Sequence, residues 1–311
     1  MPNLERMIER LEPRLGSASG SALPLEGGIT NRNYRVRFGT TEYVVRLPGR
    51  DTELLGISRE AERLANESAA ELGIAPRVAV AEPDCLVTHF LGARPAEVST
   101  AALAPLARAL RCFHDCGVRL PVRFWVPDLL DRYAELVHDR GGGLPPQYGD
   151  AQELARRIEE VLPLSEPVPC HNDLLPANLL CAEDAAPRVG RLGGRAYAGR
   201  RVVLVDWEYA GMGHRLFDLG NLAVNNDLDQ AQEARLLDAY FGEPPDRARS
   251  AGLKLMRIMS DAREAAWGVL QAVLSELDFD FRAYARQHFE RLLAAAGQPA
   301  FEAWLSDAAA A

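Results

Sequence analysis

The sequence predicts an α+β chain in two lobes: a small N-terminal antiparallel β-lobe with one helix, over residues 1–91, and a larger, mostly helical lobe over 92–311. Three observations predict it. Residues 34–47 alternate as a hairpin does, with Tyr34, Val36 and Phe38 on one face. From about residue 98 the apolar residues fall at helical spacing, as in Leu103, Leu106, Leu110 and Phe113. The 311 residues suffice for one large or two medium domains with their own core.

The elements follow in order. Gly39-Thr40-Thr41-Glu42 turns the hairpin into Tyr43–Leu47. A helix then runs to about Leu72, with Ser58 as its N-cap and Gly73 and Pro76 as its stop. A strand pair near Arg77–Val80 and Cys85–Phe90 completes the β-lobe. Arg140–Pro146 is a glycine- and proline-rich loop within the helical lobe, and Arg188–Arg201 reads as a hairpin tip. Val202–Val205 is a short buried strand ending at Asp206. From about residue 250 the chain is helical, with a break around Leu277–Asp280.

Composition excludes several classes. Apolar residues make up 48% and charged residues 25%, an ordinary globular balance. The net charge of −9 argues against nucleic acid or an anionic membrane as partner. Of the 35 basic residues only Lys254 is a lysine. The N-terminus has no apolar signal-like segment, and no stretch approaches a membrane span. The five cysteines include no C-x-x-C pair and read as reduced thiols, with Cys112 and Cys116 buried. A soluble cytoplasmic protein is expected.

The chemistry concentrates in His171-Asn172-Asp173-Leu174-Leu175-Pro176-Ala177-Asn178 and, downstream, Asp206-Trp207-Glu208. Phosphoryl transfer from ATP needs a carboxylate near the incoming hydroxyl and oxygen ligands for Mg²⁺. An Asp and an Asn five residues apart on a tight loop supply the first carboxylate and one metal ligand. A second Asp, at the end of a buried strand, supplies the other.

These residues resemble the choline/ethanolamine kinase family, within the aminoglycoside-phosphotransferase-like group of the protein-kinase fold. Asp206–Gly211 followed by Phe217-Asp218-Leu219-Gly220-Asn221 is similar to that family's D-x-E-Y and F-D-L-x-N segments. Residues 46–62 and Phe279–Ala285 also read like bacterial members. The resemblance implies a bilobal protein-kinase-like fold, ATP and Mg²⁺ as cofactors, and an alcohol acceptor. It implies Asp173 as catalytic base, and Asn178 and Asp206 as catalytic metal ligands, with Glu208 supporting the metal shell. His171 would brace the catalytic loop, and Asp218 would tie it down. Leu175 stands where protein kinases usually carry a lysine, and no A-P-E segment follows. Both favour a small-molecule acceptor over a protein.

On the nucleotide side, Gly27, Gly28, Thr30 and Asn31 precede a hairpin strand and can present N–H groups and side chains to phosphate. Arg46 stands where the wider fold usually has a strand lysine, and its guanidinium suits phosphate oxygens. Glu62 is its expected partner, with Glu60 in competition. Val87–Leu91 would meet adenine through its backbone.

On the acceptor side, Trp267, Phe279 and Tyr284 match aromatic positions of the family, and aromatic faces suit a quaternary ammonium. Tyr209 should lie near the same pocket, and Glu264, one turn before Trp267, adds negative charge. Eukaryotic members usually carry an aromatic where Glu264 stands, which leaves room for a primary amine or another cation. The reading is therefore an ATP- and Mg²⁺-dependent kinase of a small cationic alcohol, choline or ethanolamine first. The alternatives are an aminoglycoside, sugar or thiamine phosphotransferase of the same fold, or a nucleotide-binding pseudokinase scaffold.

Overall fold

Alternating apolar residues build the first sheet of the computed structural model, which describes residues 4–25, 31–49, 52–183 and 200–310. Helix α1 (Leu4–Leu15) is followed by β1 (Ala18–Leu25), β2 (Asn31–Phe38), β3 (Thr41–Pro48), α2 (Arg59–Glu71), β4 (Val78–Glu82) and β5 (Cys85–His89). The sheet order is β1-β2-β3-β5-β4, with every pair antiparallel. Val36 and Phe38 of β2, Val45 and Leu47 of β3, and Val80 and Val87 turn inward onto Met7 and Leu11 of α1. Both α1 and β1 go beyond the expected hairpin and strand pair. Amphipathic spacing places Met7 and Leu11 on one helix face, and Arg10 and Arg14 then reach Asp84 and Glu82.

Ser58 caps α2 as its residue type predicts, its hydroxyl accepting the N–H of Ala61. After β6 (Arg94–Pro95) come α3 (Thr100–His114), α4 (Val126–Asp139), α5 (Gln147–Val161), β7 (Val168–Cys170), β8 (Leu179–Glu183), β9 (Arg200–Leu204) and β10 (Gly211–Gly213). Helices α6 (Arg215–Asn225), α7 (Gln230–Phe241), α8 (Arg247–Leu274), α9 (Phe281–Ala296) and α10 (Phe301–Ala308) complete the chain.

The chain divides into two compact units, but not at a single cut near residue 91. One unit is 1–97 with 177–209, and the other is 98–176 with 210–311. The reason is strand pairing. β8 lies between β6 and β9 in one antiparallel sheet, and the N–H of Leu204 donates to the carbonyl of Ile74. Those bonds tie 177–209 to the N-terminal segment.

The second unit is built around α8, whose 28 residues are buried on nearly every side from Ala251 to Gln271. Helices α4, α5, α6, α9 and α10 pack against it. The break expected near Leu277–Asp280 is the connection between α8 and α9, where Asp280 caps the N–H of Ala283. The expected tip at Arg188–Arg201 lies outside the described residues except for its last two, at the start of β9. All five cysteines are free thiols; Cys112 and Cys116 are half-buried rather than buried, because their helix end faces solvent at Asp115. No helix among the described residues is long and apolar enough to cross a membrane.

Candidate functional site

In the first unit, β3 is a central strand, with Arg46 opposite Asn33 on one side and Leu86 on the other. Arg46 is 7% exposed and forms ion pairs with both Glu62 of α2 and Asp206. The structure thereby selects Glu62, which is buried, over Glu60, which is exposed. A guanidinium stays charged when buried, so it needs carboxylates.

Asp206 owes its place to β8 and β9. Leu179 pairs with Leu204, and the N–H of Val205 donates to the carbonyl of Asn178 at 3.0 Å. Asn178 and Asp206 therefore flank the same end of one strand pair. Asp206 adopts a left-handed backbone (φ 64°), a conformation that Asp tolerates better than most residues.

Two further residues complete this cluster. Nδ2 of Asn31 donates to Glu208 at 2.7 Å, while Oδ1 of Asn31 is buried without a hydrogen-bond partner among the described residues. Arg59 reaches Glu62 at 2.7 Å, Thr52 at 3.1 Å and Glu208 at 3.9 Å. Burial pushes the Glu208 carboxyl up to about 7, helped by Asp206 and opposed by Arg46, Asn31 and Arg59. Burial, with Arg46 nearby, also lowers Arg59. Arg59 is a site residue not foreseen from the sequence, since i to i+3 spacing to Glu62 is common on any surface helix.

The donor set suits Mg²⁺. Asn178 offers an amide oxygen, and Asp206 and Glu208 offer carboxylates, the hard oxygen ligands this ion takes. Gly27, Gly28 and Thr30 lie outside the described residues.

In the second unit, β7 delivers the chain to Asp173, and α6 holds the loop that carries it. Asp218 accepts the N–H of His171 at 2.8 Å and of Asn172 at 2.7 Å. His114 meets Asp218 through Nε2 at 3.0 Å and Tyr240 through Nδ1 at 2.6 Å. Burial alone would raise Asp218, but His114 and the loop amides hold it below the usual carboxylate range. Asn221 accepts the N–H of Leu174 through Oδ1 and donates to Ser260 at 2.9 Å. The F-D-L-x-N segment thus fastens three amides of the loop, those of His171, Asn172 and Leu174. Nδ1 of His171 accepts the N–H of Asp173 at 3.3 Å, the bracing role expected of it.

Asp173 is 6% exposed and meets Arg263, which sequence reasoning missed. No spacing rule pairs residues 90 apart. Arg263 in turn reaches Glu264 at 2.6 Å, and Tyr284 donates its hydroxyl to Glu264 at 2.7 Å. Glu264 is 1% exposed with both oxygens engaged, so its charge faces Arg263. Burial would raise this carboxyl, yet Arg263 beside it carries it below its ordinary value.

The aromatic residues converge. Trp267 and Tyr284 meet edge to face with ring centres 5.6 Å apart, and Phe279 lies 6.1 Å from Tyr284. Phe281, not foreseen, closes the group at 5.7 Å from Trp267. Phe279 keeps 43% of its surface exposed. Tyr209 belongs to the first unit, buried in a single 3₁₀ turn after Asp206.

A cation on a central strand tied to a helix glutamate, two oxygen ligands at one strand-pair end, and an amide-pinned Asp define a phosphotransferase of protein-kinase-like fold. Residues 21–253 match the phosphotransferase enzyme family, and the chain belongs to it. A choline/ethanolamine kinase family protein from Mesorhizobium loti superposes with a TM-score of 0.79 at 28% identity, covering 99% of each chain. Choline kinase LicA from Streptococcus pneumoniae has the same fold, with a TM-score of 0.74 at 22% identity over 94% of this chain and 97% of that one. A probable ethanolamine kinase from Arabidopsis thaliana is 26% identical, covering 91% of this chain and 82% of its own.

Proposed function

We propose that the protein transfers the γ-phosphoryl group of ATP to the hydroxyl of a small cationic amino alcohol, choline or ethanolamine, with Mg²⁺. One observation carries the nucleotide half: Arg46, fixed by Glu62, reaches Asp206, which shares its strand-pair end with Asn178. In this reading Arg46 holds phosphate oxygens, and Asn178 and Asp206 hold the metal. When bound, the ion supplies charge neutralisation along the phosphate chain.

Asp173 orients the acceptor hydroxyl and takes its proton. As the acceptor oxygen bonds to the γ-phosphorus, the bond from that phosphorus to the ADP oxygen breaks, and ADP leaves. Asp218 and Asn221 keep the Asp173 loop from relaxing, which is the positioning this reaction depends on. Trp267, Phe279 and Tyr284 offer aromatic ring faces of the kind that suit an ammonium neighbour, with Phe279 partly exposed. The names of the related proteins support the same acceptor class.

Purified protein with Mg²⁺-ATP is assayed for ADP release on a panel of choline, ethanolamine, an aminoglycoside, a sugar and thiamine. Turnover highest with choline or ethanolamine is expected, and Asp173→Asn should lower it by at least about 100-fold. A preference for another panel member would replace the acceptor, and an undiminished Asp173→Asn rate would remove Asp173 from its role.

A further inference from the structure

We propose that Arg263 is a positioning residue that fixes the carboxylate of Asp173, and that Glu264 acts as the counter-ion of Arg263 rather than as a ligand of the acceptor. The inference rests on Asp173 being the base, as proposed above. Arg263 is 2% exposed, among the largest fully buried side chains in the protein. Its Nη1 lies 3.2 Å from Oδ1 of Asp173 and 2.6 Å from Oε1 of Glu264. Oε2 of Glu264 accepts the Tyr284 hydroxyl. A chain of contacts therefore runs from the aromatic cluster through Glu264 and Arg263 to the base.

The charges explain why both α8 residues are present. A buried guanidinium beside Asp173 alone would cancel the negative charge that a cationic acceptor meets. With Glu264 included, two carboxylates face one guanidinium, and one net negative charge remains. Glu264 is buried, with one oxygen on Arg263 and the other on Tyr284, so an ammonium there would compete with two buried partners. Its consecutive neighbour on the helix is what it serves.

The kinetic test uses Arg263→Met, Arg263→Lys, Glu264→Gln and the Met/Gln double variant in the full chain. In Arg263→Met, kcat is expected to fall about 100-fold, as for a misplaced catalytic group, with the acceptor KM within about threefold of wild type. Arg263→Lys should recover about tenfold of that loss, since it restores charge but not the planar fork. The double variant should be no slower than Arg263→Met, because Glu264 acts through Arg263. A kcat within threefold of wild type in Arg263→Met overturns the proposal. So does a Glu264→Gln variant with raised acceptor KM, unchanged kcat and an effect that adds to that of Arg263→Met. Should Arg263→Met not fold, Arg263→Lys carries the comparison: kcat about tenfold down at constant KM is expected, and an unchanged kcat overturns it.

A readout independent of any acceptor is the urea-unfolding cycle of Asp173→Asn with Arg263→Lys. A coupling of about tenfold in the unfolding constant is expected, and additivity within threefold overturns the contact. Coupling in a protein that phosphorylates nothing on the panel would instead overturn the reading of function.

Discussion

Arg46 on β3 makes ion pairs with two carboxylates at once, Glu62 of α2 and Asp206 beyond β9. It does so as the cation of a central strand, in a chain whose one lysine, Lys254, pairs instead with Glu233 in the second unit. The buried cation of β3 is thus an arginine held by two carboxylates. Arg46→Ala should raise the ATP KM at least tenfold and also cost stability, about 3 kcal/mol, because it leaves Glu62 buried with less compensation. Arg46→Lys should fall between, keeping the charge and losing the fork. Calorimetric nucleotide binding alongside urea unfolding checks both, and a wild-type ATP affinity in Arg46→Ala would remove Arg46 from the nucleotide site.

Asp218 should prove as important to rate as to stability. Its carboxylate accepts two loop amides and meets His114, so Asn at this position points an N–H₂ toward groups that also donate. Asp218→Asn is expected to cost about 3 kcal/mol and to lower kcat at least tenfold. Urea unfolding and steady-state rates test this. A variant that loses stability while keeping kcat would show that the Asp173 loop holds its shape without Asp218.

These two residues show what the sequence made legible and what it hid. Asp173, Asn178 and Asp206 were expected from the H-x-D-x-x-x-x-N and D-x-E segments, and Arg46 and Glu62 from positions resembling those of the wider fold. Ser58 was readable because a cap is a local event, decided within four residues. Arg263 and Asn221 were not readable as site residues, since their partners, Asp173 and Leu174, lie on a loop far away in sequence. Helix α1 and strand β1 were missed for another reason: β1, Ala18–Leu25, has small and polar residues and little alternation, and its pairing with β2 supplies the order. Assigning 177–209 to the first unit needed the β6-β8-β9 pairing, which no local pattern encodes.

Gly220 lets α6 press against α8 between the two residues that fasten the catalytic loop. A Cβ there would stand 2.7 Å from the backbone carbon of Met256 and 2.9 Å from the nitrogen of Arg257. Alanine gains about 1 kcal/mol of helix propensity over glycine. Overpacking against a backbone that cannot give costs about 1–3 kcal/mol, so the second effect wins. Gly220→Ala should lower stability by up to about 2 kcal/mol and weaken the Asn221 bonds to Leu174 and Ser260. Thermal unfolding and kcat measure the two effects, and a stabilised Gly220→Ala would mean that α6 and α8 part freely.

His214 sets a pH dependence whose sign can be worked out. It is the N-cap of α6, and its Nδ1 accepts the N–H of Leu216 at 3.2 Å, which requires an unprotonated ring nitrogen. Burial, with Arg215 and His114 nearby, lowers its pKa to about 4, against an ordinary value of 6.5. The unfolded chain therefore takes up a proton on acidification before the fold does. This residue's contribution is fully present above about pH 6.5 and is lost progressively as the pH falls toward 4. At most it amounts to about 3 kcal/mol. Asparagine caps helices without titrating, so His214→Asn should lose less stability than wild type between pH 6.5 and 4 while matching it at pH 7.5 to within about 1 kcal/mol. Urea unfolding at a series of pH values decides the matter, and parallel curves for the two proteins would show that His214 does not carry the acid sensitivity of α6.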